Sequence, residues 1–405
     1  MTTVLMGGRK FELDDLQTRP AFHSRWFEKA RAEAGHAECL CSVPRRLRLV
    51  IRQREGLYHL AGWPLEGEQH QSFCFFSKLL PSSSGRGSYA AGAIVDREDG
   101  SADIKVDVPL RIRAGDRAPS APRGVATAGA GERRRSVGML GLLHELWEGA
   151  SLTRWGKGWS RNWSRCHWHL RQLDRRINGT PLSECLHVVR PWDPARKEEI
   201  EAEFARFKGR LGESGSFRYR GYVMGELKTW RPTEYGYRIE IRHQRDAYFA
   251  SKALIEAVEK SSRAVMAARE NQDARTVVLM LVDVTPKGYL QVVDMTLMLT
   301  TKHYLPAESS FELQMADALV EAGRSFVKPL RYDGIEDTFP DFKLLDTSPA
   351  TVVEVWGMMG NASYEARKTE KEATYRANRV PVIAWDTRRP LPDLRPARSA
   401  ETTGR

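Results

Sequence analysis

Three carboxylates near the carboxyl end of this 405-residue chain, Glu312, Asp341 and Glu354, are of the type that holds a hard divalent cation. Asp341 opens one short apolar stretch, 340–344, and Glu354 sits inside the next, 352–357, with Asp346, Thr347, Ser348 and Pro349 as turn chemistry between them. The two stretches read as an antiparallel hairpin. A register that brings Asp341 beside Glu354 concentrates negative charge in a strand pair too apolar to tolerate it, and magnesium would resolve that conflict. Glu312 lies on the edge of a helical stripe, Phe311, Met315, Ala318, Leu319, Ala322 and Phe326, so it is expected to point inward, a costly place for a carboxylate without a role. A lysine from the following helix could instead simply pair with Glu354. A second constellation lies near the start: Cys39 and Cys41, then His70 and Cys74. Three thiols and an imidazole suit a closed, tetrahedral, structural zinc site, with His36 as the rival fourth ligand. Buried, incidental thiols in a reducing cell are the other reading.

The elements that must position the acids are a helix over 308–326, an extended piece over 327–332, the hairpin, a helix over 363–376 and a last strand over 380–385. This α-β-β-β-α-β order, with Pro340-Asp341 opening one strand and Glu354 in the next, resembles the PD-(D/E)xK restriction-endonuclease-like superfamily. The resemblance implies that Asp341 and Glu354 bind the metal and that Glu312 is the helix acid. It also implies a lysine two residues after the Glu, where this chain has Trp356. Displacement of that lysine onto the next helix is a known variation. Tyr364, Lys368, Lys371 and Tyr375 recur there along one helical face, which makes Lys371 the expected catalytic amine, with Arg367 and Lys368 as phosphate-binding neighbours.

The elements that position the cysteines alternate in hydrophobicity through Leu47, Leu49 and Ile51 and again through Leu57, His59 and Ala61. They are expected to form a hairpin that returns the chain and brings His70 and Cys74 to Cys39 and Cys41. Together with the "LLHELWEGASLTRW", "RNW" and "FVKPLRYD" segments, the amino-terminal cysteines resemble an uncharacterised bacterial family, domain of unknown function 1173. That resemblance implies an association with mobile and conjugative elements, and so protein partners from such an element, but no mechanism.

A net charge of +11 favours a polyanionic partner, and DNA leads. The most apolar stretch, 277–284, is too short for a membrane span and carries Asp283. Arg9, Glu12, Asp14 and Asp15 arrive before any secretory core can form, so a cytoplasmic location is expected. The chain divides into an amino-terminal zinc module (1–112), a flexible Ala/Gly/Pro/Arg linker (113–137), a Trp/Arg-rich helical region (138–208), an antiparallel sheet with a helix (209–302), the nuclease-like domain (303–388) and a disordered tail (389–405). Within the helical region, a helix over 139–150 and a basic segment over 161–177 could form a helix-turn-helix, in which Arg161 and Arg165 would touch nucleic acid; a packing module is the more common outcome. Cys166, His167, His169, Cys185 and His187 make a poor second metal site, because adjacent helical residues diverge by about 100°. The segment 196–208 reads as a solvent-facing helix, and the sheet after 217 as scaffold. The fold class expected is thus α+β and multidomain. The function expected is a metal-dependent nuclease, with a non-catalytic DNA-binding or assembly protein on a degenerate nuclease fold as the alternative.

Overall fold

The computed structural model describes residues 2–42, 44–54, 56–64, 66–79, 83–113, 134–333, 339–357 and 362–396. Most of the expected linker and the last part of the expected tail lie outside these residues. The protein is a mixed α+β structure with several separate sheets.

At the amino terminus five antiparallel strands form one sheet, Arg9–Glu12, Thr3–Met6, His36–Cys39, Leu47–Arg54 and Leu57–Gly62 in spatial order. Alternation along Leu47–Arg54 puts Leu47, Leu49 and Ile51 inward, where Val4, Met6 and Phe27 of the helix Ser24–Glu33 meet them. The expected hairpin is present, with Ile51 opposite Leu60. The chain then leaves this sheet. Strand Ala102–Ile104 pairs in parallel with Arg175–Ile177, and Arg111–Arg113 pairs with Phe217–Tyr219, so residues 94–113 are woven into the middle of the protein.

The helix α1 (Met139–Gly149) forms as the Leu/Trp spacing requires, with Leu142, Leu143, Leu146 and Trp147 fully buried. Its amino end is capped from a distance: Asp333 accepts hydrogen bonds from the backbone N–H groups of Gly138 at 3.0 Å and Gly141 at 2.9 Å. Between α1 and α2 (Trp163–Arg171) the strand Arg154–Trp155 departs to another sheet, so the two helices are not joined as a simple helix-turn-helix. Helix α3 (Lys197–Lys208) is not wholly solvent-facing as expected: Ile200, Phe204 and Phe207 are buried and only the opposite face is charged.

The central sheet is more than the four antiparallel strands anticipated. Strands β1 (Gly221–Thr233), β2 (Gly236–Ile241), β3 (Ala247–Ala250), β4 (Ala274–Val284) and β5 (Leu290–Thr301) close on themselves, because β1 pairs with β2 through its second half and with β4 through its first. β2 pairs with β3, β3 runs parallel to β5, and β5 returns antiparallel to β4. A register shift at Lys228 bends β1 so that it can serve both neighbours. The interior is filled by Val223, Trp230, Ile239, Tyr248, Val278, Met280, Val282 and Val292, and helix α4 (Lys252–Ser261) adds Leu254, Ile255 and Val258. Gly236 turns the β1–β2 hairpin at φ +152°, where a Cβ would stand 2.3 Å from the Ala250 carbonyl. The other side of β1 and β4, with Tyr222, Met224, Val277 and Leu279, packs on α1 and its neighbours.

The carboxyl-terminal part follows the expected order: α5 (Ser310–Glu321), β6 (Phe326–Val327), β7 (Phe342–Leu344), β8 (Val352–Trp356), α6 (Ala362–Ala377) and β9 (Val382–Asp386). β7 pairs antiparallel with both β6 and β8, β9 is parallel to β8 across the α6 crossover, and Arg154–Trp155 adds the fifth strand beside β6. Met315, Leu319, Phe326, Phe342, Val353, Val355 and Trp385 form its core.

Candidate functional site

The β7–β8 register decides whether the two strand acids meet. Phe342 lies opposite Val353 and Lys343 opposite Val352, so the next position in the same register sets Asp341 opposite Glu354. Phe342, Val353 and Val355 point into the core; Glu354 therefore points to the other side, toward α6. There Lys371 Nζ donates to both carboxylate oxygens of Glu354 at 3.0 Å and to the Phe339 carbonyl at 2.6 Å. The Tyr375 hydroxyl donates to the same carboxylate. Burial, and then the neighbouring Asp341 charge, raise the Glu354 pKa above the ordinary carboxylate value, while Lys371 opposes the shift. Asp341 is held by the Val355 N–H at 2.7 Å and by Arg331 at 3.5 Å.

Glu312 does point inward, as expected from its stripe, and is 6% exposed. Its partner is Lys328, completely buried just after β6, whose Nζ stands 2.9 Å from Glu312 and 4.0 Å from Glu308. The Glu308 N–H also donates to Glu312 at 3.0 Å, and the Ser309 hydroxyl caps α5 by accepting from the Glu312 N–H at 3.1 Å. Burial opposes the charge on Lys328, but Glu308, Glu312 and Asp341 raise its pKa overall, so it stays an ammonium. Among the described residues, four acids (Glu308, Glu312, Asp341 and Glu354) and three cations (Lys328, Arg331 and Lys371) thus share one neighbourhood, with one negative charge in excess among these seven. Glu312 belongs to the Lys328 half of this cluster and Asp341 to the Glu354 half. Trp356 carries Lys368 and Lys371 over its ring at 5.4 and 5.9 Å. Arg367 is exposed on α6.

Lys328, Arg331 and Glu308 were not singled out in the sequence. A lysine inside the apolar run Phe326-Val327-Lys328-Pro329-Leu330 was the available signal, since an ammonium there must be paired.

Among the described residues, one group of three or more His, Cys, Asp or Glu side chains has all its ligand atoms within 4.8 Å of one another: Cys39, Cys41, His70 and Cys74. Cys39 closes its strand and Cys41 follows it, while the 66–74 segment carries His70 and Cys74 back over the sheet edge. The sulfur atoms of Cys39 and Cys74 are 3.5 Å apart, and His70 Nδ1 is 3.3 Å from Cys41 and 3.5 Å from Cys74. With metal–sulfur bonds of about 2.3 Å, a tetrahedral ion sets its ligands roughly 3.5–3.8 Å apart, so the group fits a metal such as zinc. Without a cation the thiols cannot all ionise. Cys39 bonding alone would lower the Cys74 pKa, but Cys41 and burial outweigh it and push that thiol up to about 11. His36, the rival ligand, is not part of this group; its Nδ1 lies 2.7 Å from the Ala34 carbonyl.

The remaining sequence candidates have other partners. Arg161 is committed to the carbonyls of Leu152 and Arg154, and Arg165 reaches Asp14 at 3.0 Å. Cys166 and Cys185 are buried free thiols, and His187 packs against Phe204 and Phe207. Arg154 bridges the loop of His70 and Cys74 to the carboxyl-terminal sheet, donating to the carbonyls of Ser72 and Ser77 from a strand that pairs with β6. No helix among the described residues is long and apolar enough to cross a membrane.

Comparisons with curated proteins and with solved structures find no match. A family model described as "Protein of unknown function (DUF1173)" matches residues 13–388, nearly the whole chain, and the protein therefore belongs to that family.

Proposed function

We propose that the carboxyl-terminal cluster is a magnesium-dependent phosphodiester hydrolase site acting on DNA. The observation that carries the reading is the meeting of Asp341 and Glu354 across β7 and β8, with Lys371 and Tyr375 converging on Glu354. The donor set is all oxygen and anionic, which suits a hard divalent cation. A bound magnesium ion would polarise the scissile phosphate and lower the pKa of an attacking water. Asp341 and Glu354 would hold it. Lys371 would then release Glu354 and turn its ammonium toward the charge that develops on the phosphoryl oxygens, and Tyr375 would keep Glu354 oriented. Lys328 holds Glu312 and Glu308 in place behind the strand acids, and Arg367 and Lys368 stand on α6 where a backbone phosphate could dock. The cysteine and histidine group would be a structural zinc clip.

A second reading is favoured by Lys371 itself, which occupies both oxygens of Glu354. The pair then neutralises a buried acid, and the unit is a non-catalytic DNA-binding or assembly fold with Trp356 in place of the usual lysine. Nicking of supercoiled plasmid with magnesium separates the two. Wild type should nick, and an Asp341→Ala, Glu354→Ala double variant should lose about a hundredfold or more of the rate. Equal nicking by both proteins, or none by wild type, overturns the hydrolase.

A further inference from the structure

The closed barrel carries an outward surface that its scaffold role does not use. Its connectivity is 1-2-3-5-4-1, with β3 and β5 parallel and α4 between β3 and β4. Here the outer sides of β1 and β4 are covered by α1 and its neighbours, while among the described residues Arg238 on β2 is exposed and Phe249 on β3 is half-buried.

The side chains on that face have a particular composition. Tyr248 points into the barrel, so Phe249 points out; Arg238 is its partner on β2 and Gln291 its partner on β5. Tyr235, in the β1–β2 turn, is 90% exposed, and Tyr289, in the β4–β5 turn, is 56% exposed. Tyr289 meets Phe249 edge to face at 5.6 Å. The two turns stand at opposite ends of β3, because Tyr237 lies opposite Ala250 while Leu290 lies beside Tyr248. Phe249 and Tyr289 thus share one end of this face, and Tyr235 stands in the turn at the other end, five residues or roughly 17 Å away at about 3.3 Å each. Cations border the face. Arg231 lies opposite Arg238 across the hairpin, Lys228 and Arg238 both reach Glu240 at 3.3 Å, and Lys287 is exposed in the second turn. Counting Lys228, Arg231, Arg238 and Lys287 against Glu234 and Glu240 leaves two positive charges in excess.

We propose that this face, Tyr235, Phe249 and Tyr289 with Arg231, Arg238 and Lys287, binds single-stranded nucleic acid. Exposed rings cost solvation unless something flat covers them, and unpaired bases offer π-faces at the spacing of a phosphate backbone that the arginines attract. A duplex hides those faces inside its stack, and an uncharged oligosaccharide has no use for the arginines. The proposal stands apart from the hydrolase reading: it uses a different sheet, and its readout involves no cleavage.

The test is fluorescence anisotropy of labelled 12-nucleotide single strands, DNA and RNA, and of the matching DNA duplex. The full chain is used, without added magnesium. A single strand should bind at least tenfold more tightly than the duplex, and the DNA and RNA arms show which sugar is preferred. Tyr235→Ala together with Tyr289→Ala should weaken single-strand binding by about tenfold or more, the scale of one or two lost base stacks. Both tyrosines sit in exposed turns, and an unchanged melting temperature confirms that the fold is intact. Arg238→Ala should flatten the salt dependence by about one counterion. Equal affinity for duplex and single strand, unchanged affinity in the double tyrosine variant, or no binding by wild type each overturns the proposal.

Discussion

Lys328 is wholly buried, and among the described residues the nearest carboxylate to it is Glu312 at 2.9 Å. Glu312→Gln removes that charge while keeping the oxygen that accepts the Glu308 N–H, so one interaction changes. Breaking a buried pair by removing one partner typically costs about 3–5 kcal/mol, because the other charge is left uncompensated. Glu308, at 4.0 Å, and the Asp341 charge still favour the ammonium, which places the expected cost near the lower end, about 3 kcal/mol. At about 1.4 kcal/mol per decade that is roughly a 150-fold rise in the opening constant of the surrounding sheet. Hydrogen exchange of the backbone amides of Phe326, Val353 and Val355 reads that constant directly, and it avoids assuming that so long a chain unfolds in one step. Lys328→Met in the Glu312→Gln background should recover most of the loss, since two apolar or neutral groups of similar volume need no partner. A cost below about 1 kcal/mol for Glu312→Gln, or a double variant as labile as the sum of the singles, would refute the argument.

Two other consequences follow from groups far from these acids. Purified protein should contain one zinc per chain, lost in a Cys39→Ser, Cys74→Ser variant, and chelation should loosen the amino-terminal sheet in hydrogen exchange; full retention of zinc by the variant would move the site elsewhere. Glu148, with Oε2 buried and unpartnered, has its pKa raised by burial and by Glu145 to about 7. A raised folded pKa means that its contribution is complete below the ordinary value near 4.5 and is lost as pH rises through about 7. Glu148→Gln should therefore be more stable than wild type by up to about 3 kcal/mol at pH 8 and nearly equal to it at pH 4, a difference that thermal melts across pH would show.

What could be read from the chain alone followed from periodicity. The helix stripe around Glu312 and the alternation on both sides of the 346–349 turn fixed the local elements, and the strand order came with them. The four side chains that could hold a metal were legible because two short Cys/His spacings flanked one hairpin. The barrel was not legible. Its closure depends on the four-residue β3 and its parallel pairing with β5, a contact between strands separated by α4 that leaves no local mark. Lys328 escaped notice for a related reason: its partners lie on α5, just before α5 and just before β7, and only the fold brings them together. The expectation for Arg161 failed to foresee that a basic residue next to a strand departure can be spent on carbonyls of its own loop.

The claim that matters most is that Asp341 and Glu354 share a divalent cation. Titration of the zinc-loaded protein with Mn²⁺, a redox-stable stand-in for magnesium at oxygen sites, followed by electron paramagnetic resonance, tests it without relying on turnover. One bound Mn²⁺ per chain is expected for wild type, displaced by excess magnesium and absent from an Asp341→Asn, Glu354→Gln variant of unchanged zinc content. A variant that binds Mn²⁺ as wild type does, or a wild type that binds none, would contradict it.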